Sequence, residues 1–426
     1  MKISGWGLFP IIDSKKLLFS PKLSWNKSFI AKGNLRSYGD SALAENHIDM
    51  LNFNALLSFD HTKGILIAQS GVLLSDIIDV ITPKGWFLHV VPGTKYITLG
   101  GAIASDIHGK NHHKDGCFSN FVESFTIVLP DNQEVSCSLK ENTELFYATC
   151  GGMGLTGIIK NVTLKLKKIN SININQTTHK TKNLQETFKI FEQEMEKTYS
   201  VAWIDCLQKG KKIGRSLIMT GEFCDDGQKD LLSRKKINIP FNFPSFIINS
   251  WILKVFNFLY YNKQSSKKTS QKVYFDTFFF PLDSINNWNK IYGTNGFFQF
   301  QFILPKSKSY EGMLHILNSI SRENTGSFLA VLKLYGKSNN NLLSFPMEGY
   351  SLALDFKRSK KNMMLIETLT DYVVMQGGRV YLAKDSLLSR NQFDKSYVNA
   401  DLFRSIRSKY NFNKNLNSIQ SIRLGL

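Results

Sequence analysis

Two glycine-rich stretches constrain this chain more than any other feature. One is Leu99–Asn111 (LGGAIASDIHGKN) and the other Cys150–Lys160 (CGGMGLTGIIK). Glycine costs conformational entropy, and it returns that cost where the backbone must take positive φ or approach a ligand closely. Successive N–H groups in such loops form concave anion sites. A third loop, Arg36–Ala42 (RSYGDSA), lies upstream. Three such loops predict a large ligand that carries a pyrophosphate.

Gly152, Gly154 and Gly157 have G-x-G-x-x-G spacing, but that fingerprint needs a strand before it and a helix after it. Here the order is reversed. Thr143–Thr149 (TELFYAT) reads as a helix that ends at the glycines, and 158–167 (IIKNVTLKLK) reads as a strand. A Rossmann dinucleotide site is therefore set aside. Elsewhere 65–72 (ILIAQSGV) predicts a strand. Ser75 caps an expected helix through Ile77, Ile78 and Ile81 that stops at Pro83-Lys84-Gly85. The runs 125–129 and 134–139 flank Pro130-Asp131-Asn132-Gln133 and predict a hairpin.

This order of parts resembles the PCMH-type FAD-binding domain of vanillyl-alcohol-oxidase-like flavoproteins. A closer resemblance is carried by RSYGDSA, VVPGTKYITLGGAIASDIHGKNHH, ELFYATCGGMGLTGII, FQFQFILP, LKLYG, LSFPMEGY and YLAKDS, in that order from residue 36 to residue 386. Together they are similar to segments of the decaprenylphosphoryl-β-D-ribose 2'-oxidase family. The resemblance implies an α+β flavoprotein of two domains: an FAD-binding domain over 1–172, a substrate domain of antiparallel sheet and helices over 173–378, and a return to the FAD domain over 379–426. Beyond residue 170 the pattern agrees. Leu184, Phe188, Phe191 and Met195 recur at helical spacing before a strand at 201–206. Leu314, Leu317 and Ile320 repeat this before 327–334, a helix over 362–376 stops at Gly377 or Gly378, and a basic helix covers 403–410. The expected arrangement is a sheet covered by helices on one face, over the flavin.

The resemblance also implies site residues. FAD contacts fall to Arg36, Ser37, Tyr38, Gly39 and Asp40, to Pro92, Gly93 and Thr94, and to Gly100, Gly101, Ala104, Ser105, His108, Gly109 and Asn111. Cys150, Gly151, Gly152, Gly154, Gly157 and Ile158 continue the set, with Tyr381 and Lys384 near the C-terminus. His108 stands in the loop that anchors flavin covalently in some relatives. The resembled family keeps this histidine without the bond, so the expectation is non-covalent FAD. Lys384 and His108 are the expected catalytic residues, with Lys384 a cation that steadies reduced flavin. Gln299 and Gln301 alternate with Phe298, Phe300 and Phe302, which puts two amides on one strand face. Lys333 and Tyr335 share a face in the same way. With Lys110 and Ser351 these residues are the expected substrate contacts. His112 and His113 lie near His108 without a carboxylate or thiolate shell, so no metal is expected. Where the family has cysteine, asparagine and tyrosine, this chain carries Ala353, Ser351 and Phe279. A thiol mechanism is excluded at Ala353. The implied reaction oxidises the 2'-hydroxyl of a polyprenyl-phosphoryl ribofuranose, and a separate NAD(P)H-dependent reductase completes the epimerisation.

Charge and apolar patterning bear on partners. Lys and Arg number 53 against 34 Asp and Glu, for a net charge of +19. That excess suits nucleic acid, a membrane surface or a merely solvated lysine-rich exterior. No nucleic-acid module motif is visible, so no nucleic acid is expected. Residues 239–261 (IPFNFPSFIINSWILKVFNFLYY) are flanked by Arg234, Lys235 and Lys236 on one side and Lys263, Lys267 and Lys268 on the other. Pro240, Pro244, Asn249, Lys254 and Asn257 argue against a transmembrane helix. An interfacial segment and an ordinary buried helix both fit the pattern. Met1–Pro10 lacks the apolar run of a signal peptide. Five cysteines without CxxC spacing suggest reduced thiols. The expected setting is cytoplasmic, peripheral at the inner face of the plasma membrane. Two other readings stay open: a soluble sugar-alcohol or aldonolactone oxidase, and a basic non-enzymatic binding protein.

Overall fold

Alternation of side chains along the strands sets the architecture. The computed structural model describes residues 1–20, 25–232, 236–244, 249–327, 329–411 and 415–426. In the N-terminal part a five-stranded antiparallel sheet runs in the order Glu134–Ser138, Val122–Val128, Ile158–Lys165, Ile65–Gln69, Leu56–Asp60. The expected hairpin is present, with Glu134 opposite Val128 and Ser138 opposite Ser124. Thr143–Thr149 is a helix and Ile158–Lys165 a strand, so the glycines between them have the helix before and the strand after. The helix Leu74–Ile81 buries Leu74, Ile77, Ile78 and Ile81, and Gly85 at φ +81° ends the 3-10 turn that follows. Ser75 does not cap it. The cap residue is Leu73, without a side-chain bond. The N–H groups of Leu74 and Ser75 instead donate to the carbonyls of Ile97 and Lys95, each at 2.9 Å. A neighbouring loop therefore satisfies those amides, and no capping hydroxyl is needed.

The second sheet has eight strands in the order Lys268–Tyr274, Asn173–Thr181, Ser216–Phe223, Tyr199–Ile204, Ala330–Tyr335, Gly349–Lys357, Phe297–Pro305, Arg379–Val380. One face is apolar. Phe298, Phe300 and Phe302 join Leu332, Leu352, Leu354 and Phe356 in a core completed by the helices Leu184–Gln193, Lys306–Arg322 and Lys360–Met375. The opposite face presents Gln299, Gln301, Lys333 and Ala353 to a cavity. Period-two alternation thus separates a greasy face from a chemical one on the same three strands.

From Arg379 the chain runs back to the first sheet. Val380 pairs with Phe302 at the sheet edge, and the helix Ala400–Tyr410 packs against the helix Thr143–Thr149. Of the expected interfacial stretch, Ser250–Asn262 is a helix. Residues 245–248 of that stretch, and Arg234 and Lys235 of its basic flank, lie outside the described residues. Among the described residues no helix is long and apolar enough to cross a membrane.

Candidate functional site: a nucleotide cradle facing a polar strand face

A cavity of ≈ 790 Å³ lies between the two sheets, within the range of ligand sites. Its first wall is the loop 33–38. Leu35 takes φ +50°, a left-handed conformation for a non-glycine residue. The N–H groups of Leu35, Arg36 and Ser37 find no acceptor among the described residues. Consecutive amides around a left-handed residue form an anion nest. The Arg36 guanidinium adds positive charge and lies 4.2 Å over the Trp6 ring.

The second wall is the glycine loop. Thr98 accepts from the Gly101 N–H at 3.2 Å, and the Gly100 N–H donates to the Ser70 carbonyl at 2.7 Å. Those amides are occupied within the protein, so Gly100 and Gly101 contribute close approach rather than donors. A Cβ on Gly100 would lie 2.8 Å from the Ser70 Cβ. Gly93 differs: a Cβ there would meet nothing within 4 Å, so its backbone borders open space. Gly154, at φ +76°, has only Ile30 Cδ1 nearby, at 3.8 Å. A narrow, glycine-walled trough with a nest at one end fits the pyrophosphate and adenosine of FAD.

The third wall carries the buried ionisable side chains. Lys384 closes the 3-10 turn Leu382–Lys384. Three backbone contacts place it. The Tyr381 N–H donates to the Gln301 carbonyl at 2.9 Å, the Tyr38 N–H to the Ala383 carbonyl at 3.1 Å, and the Lys384 N–H to the Tyr381 carbonyl at 2.9 Å. The ammonium of Lys384 sits 3.9 Å over the Tyr38 ring. Its pKa falls to about 7, chiefly from burial, with Asp355 opposing the fall. Lys110 falls to about 7 and Lys333 to about 8, again from burial. Lys110 lies 4.7 Å over the Phe278 ring and also donates to the Phe278 carbonyl. His108 is held well below its usual range by burial and by nearby Lys333, so its imidazole is neutral. Gln301 Nε2 lies 3.0 Å from His108 Nε2. With the amide donating, the ring proton is assigned to Nδ1.

The cavity therefore unites Arg36, Ser37, Tyr38, Pro92, Gly93, Thr94, Gly100, Gly101, Ala104, Ser105, His108, Gly109, Lys110, Gly154, Gly157, Gln299, Gln301, Lys333, Tyr381 and Lys384. Other expected residues stand behind it. Asp40 binds Arg423, with Nη2 to Oδ1 at 2.7 Å. Gly39 leaves room for the Asp385 carbonyl, which a Cβ would strike. Asn111 Nδ2 donates to the His89 carbonyl at 2.7 Å. Gly151 turns the chain at φ +84°, and a Cβ on Gly152 would strike the Ala148 carbonyl. Cys150 and Ile158 are core residues. Ser351 and Tyr335 are buried, and Tyr335 packs edge-on to His108 at 5.2 Å. Sequence reasoning missed Trp6, the nest around Leu35, Thr98 and Asp355. A threonine two residues before Gly100 carries a helix-cap signal that would have found Thr98.

Comparison with known proteins agrees with this geometry. The model of an FAD binding domain matches residues 24–138. The chain is 34% identical over 396 residues to the decaprenylphosphoryl-β-D-ribose oxidase of Mycolicibacterium smegmatis, covering 89% of this chain and 85% of that one. It is 25% identical over 374 residues to an uncharacterized protein of Streptomyces coelicolor, covering 83% of this chain and 100% of the other. It is 32% identical over 108 residues to the Delta(24)-sterol reductase of Homo sapiens, with 25% of this chain covered. Trough, nest and buried cation thus define an FAD-dependent oxidoreductase. Within that class, the extent and identity of the first match decide the matter: the chain belongs to the decaprenylphosphoryl-β-D-ribose oxidase family.

Proposed function

We propose that this protein oxidises the 2'-hydroxyl of a polyprenyl-phosphoryl-β-D-ribofuranose to the ketone. A partner NAD(P)H-dependent keto-reductase would complete epimerisation to the arabinose donor for cell-envelope glycan. The observation that carries this reading is the strand face of Gln299, Gln301 and Lys333, with Lys384 on the turn Leu382–Lys384, all lining the cavity that the glycine loops wall. Bound FAD supplies the hydride acceptor. The two amides suit sugar hydroxyls. Lys110 and Lys333 suit the phosphate, whose charge restores the protons that burial weakens. Lys384 holds positive charge where reduction brings negative charge, a contact prepared in advance of the reaction. His108, neutral and engaged by Gln301, is wedged among Tyr335, Phe345 and Tyr381. We read it as a packing and positioning group beside a non-covalently held flavin.

The lipid tail gives the reading a membrane side. Tyr260 and Lys263, at the end of the helix Ser250–Asn262, line the cavity. The same helix exposes Trp251 (71%), Phe258 (57%) and Leu259 (62%). An apolar face at the mouth of a lipid-sugar site, with lysines around it, supports peripheral seating at the inner face of the plasma membrane.

The test is anaerobic bleaching of the bound flavin by synthetic polyprenyl-phosphoryl ribose, beside free ribose and alditols. Only the lipid-linked sugar is expected to bleach it. Equal bleaching by free sugars overturns the substrate reading. Acid precipitation of the same sample should leave all flavin in the supernatant, and yellow protein in the pellet would reject non-covalent binding.

A further inference from the structure

One row of side chains crosses the cavity face of the second sheet. Gln301 stands directly opposite Ala353, Ala353 opposite Val331, and Val331 opposite Trp203. Directly paired residues share a face, so these side chains form a continuous line across four strands. All four line the cavity. With strands about 4.8 Å apart, the line is about 14 Å long. Its character changes along the way. Gln301 begins it with an amide whose Nε2 lies 3.0 Å from His108 Nε2. Ala353 and Val331 are short and carry no polar group. Trp203 is bulky and 5% exposed. Beyond Trp203 the line climbs onto the helix Ser250–Asn262. The Tyr260 ring lies 4.7 Å from that of Trp203, and the Phe256 ring 5.7 Å from that of Tyr260. Tyr260 also lines the cavity, and Phe256 is 40% exposed. An apolar path thus runs from the amide to the outer surface.

The order of chemistry across the strands matches a lipid-linked sugar phosphate taken from one end to the other. Gln299 and Gln301, on the strand Phe297–Pro305, suit hydroxyls. Lys333, on the strand Ala330–Tyr335, is two residues from Val331 on the same face and suits a phosphate. The next strand, Tyr199–Ile204, offers Trp203. Resting on the reading of the substrate as a polyprenyl-phosphoryl sugar, we propose that the row Ala353–Val331–Trp203, continued by Tyr260 and Phe256, is the subsite for the first isoprene units of the lipid. Trp203 and Tyr260 then set the preference for a long prenyl chain over a short one. A polar chain laid on Ala353 and Val331 would lose water without gaining a partner, whereas a methyl-branched hydrocarbon loses nothing there and gains burial. Lys263 stands at the outer end, its ammonium 3.6 Å over the Tyr260 ring, so charge returns where the path reaches the surface.

Prenyl phosphates without the sugar test the row, by calorimetric titration of purified holoprotein. Wild type should bind farnesyl phosphate at least about a hundredfold more tightly than dimethylallyl phosphate, since each buried CH₂ is worth about fourfold. Trp203→Ala and Tyr260→Ala should each cut that ratio by about tenfold. Trp203 lines the cavity, so a farnesyl group held on the outer face of the helix would not feel its loss. Equal affinity of wild type for the two phosphates overturns the proposal, as does an unchanged ratio in either variant. If Trp203→Ala fails to hold flavin, Tyr260→Ala decides, because Tyr260 is half-buried on a surface helix and its loss spares the sheet. An unchanged ratio there rejects the proposal. If the ratios fall as expected while lipid-linked ribose bleaches no flavin, the sugar reading falls and the lipid subsite stands.

Discussion

At the scale of the residue, the proposed function puts its sharpest demand on one buried lysine, Lys384. Lys384→Met keeps most of the stem and removes the charge. Flavin reduction by the lipid-linked sugar should slow by about a hundredfold to a thousandfold, the usual worth of roughly 2.7–4 kcal/mol for one prepared electrostatic contact. FAD should stay bound, because the nest at 35–37 and the glycine trough lie on other loops. Stopped-flow bleaching without oxygen checks this, and a wild-type rate in the variant would make Lys384 a bystander. Lys384, Gln299 and Gln301 were legible because a local segment and strand alternation announce them. Asp355 was not, although it alternates just as cleanly. Alternation says which face a side chain takes, and it does not say which partner it meets on the neighbouring strand, here the Gln299 amide. Asp40 and Gly39 make the complementary point. A loop motif marks the loop, while the side of it that meets a ligand depends on what packs behind, here Arg423 and the Asp385 carbonyl.

At the scale of the element, the helix Ser250–Asn262 shows how a mixed pattern resolves. Asn249 caps it, accepting from the Trp251 and Ile252 N–H groups at 3.0 Å each. Its inner side is narrow, with Leu253 and Asn257 buried. Asn257 Nδ2 donates at 2.9 Å to Asp205, which also binds Arg215. The asparagine that argues against a membrane span is thus the peg that docks the helix, and most of the aromatics face outward. Replacing Trp251, Phe256 and Phe258 together with serine should weaken binding to anionic vesicles and leave flavin content intact. Each such side chain is worth about 1.5–3 kcal/mol if it inserts, so a sedimentation assay resolves the loss. Unchanged binding would return the helix to a role within the fold. The sequence marked 239–261 as an apolar segment, interfacial or an ordinary buried helix. It could not divide that segment between core and surface, because the division depends on the strand Tyr199–Ile204 and its neighbours, distant in sequence.

At the scale of the whole molecule, the cavity leaves a mark on stability. Lys110 and Lys384 at about 7 and Lys333 at about 8 lie well below the 10.5 of a free lysine. Between those values and 10.5 the unfolded chain binds more protons than the folded one. Stability should therefore rise as pH rises through that window, with the full penalty present below about pH 7. Thermal unfolding of sugar-free holoprotein should show a higher midpoint at about pH 9.5 than at about pH 7, and Lys333→Met should flatten the rise. A midpoint that falls over this range would mean that the lysines are not buried as described. The two-sheet plan was readable from the order of elements, since each sheet announces itself by local alternation. The closure of the chain was not, because it rests on contacts between residues distant in sequence, among them Phe29 with Asn415 and Asn417. Arg423 bridges Asp40 at 2.7 Å and Asp385 at 3.0 Å, and Asp385 follows Lys384 directly. Seen from the ribosome, that bridge puts the site on a timetable. The bridge cannot close until Arg423 has left the exit tunnel, so Asp385, the residue after Lys384, is fastened to Asp40 only after every loop that walls the cavity has been made.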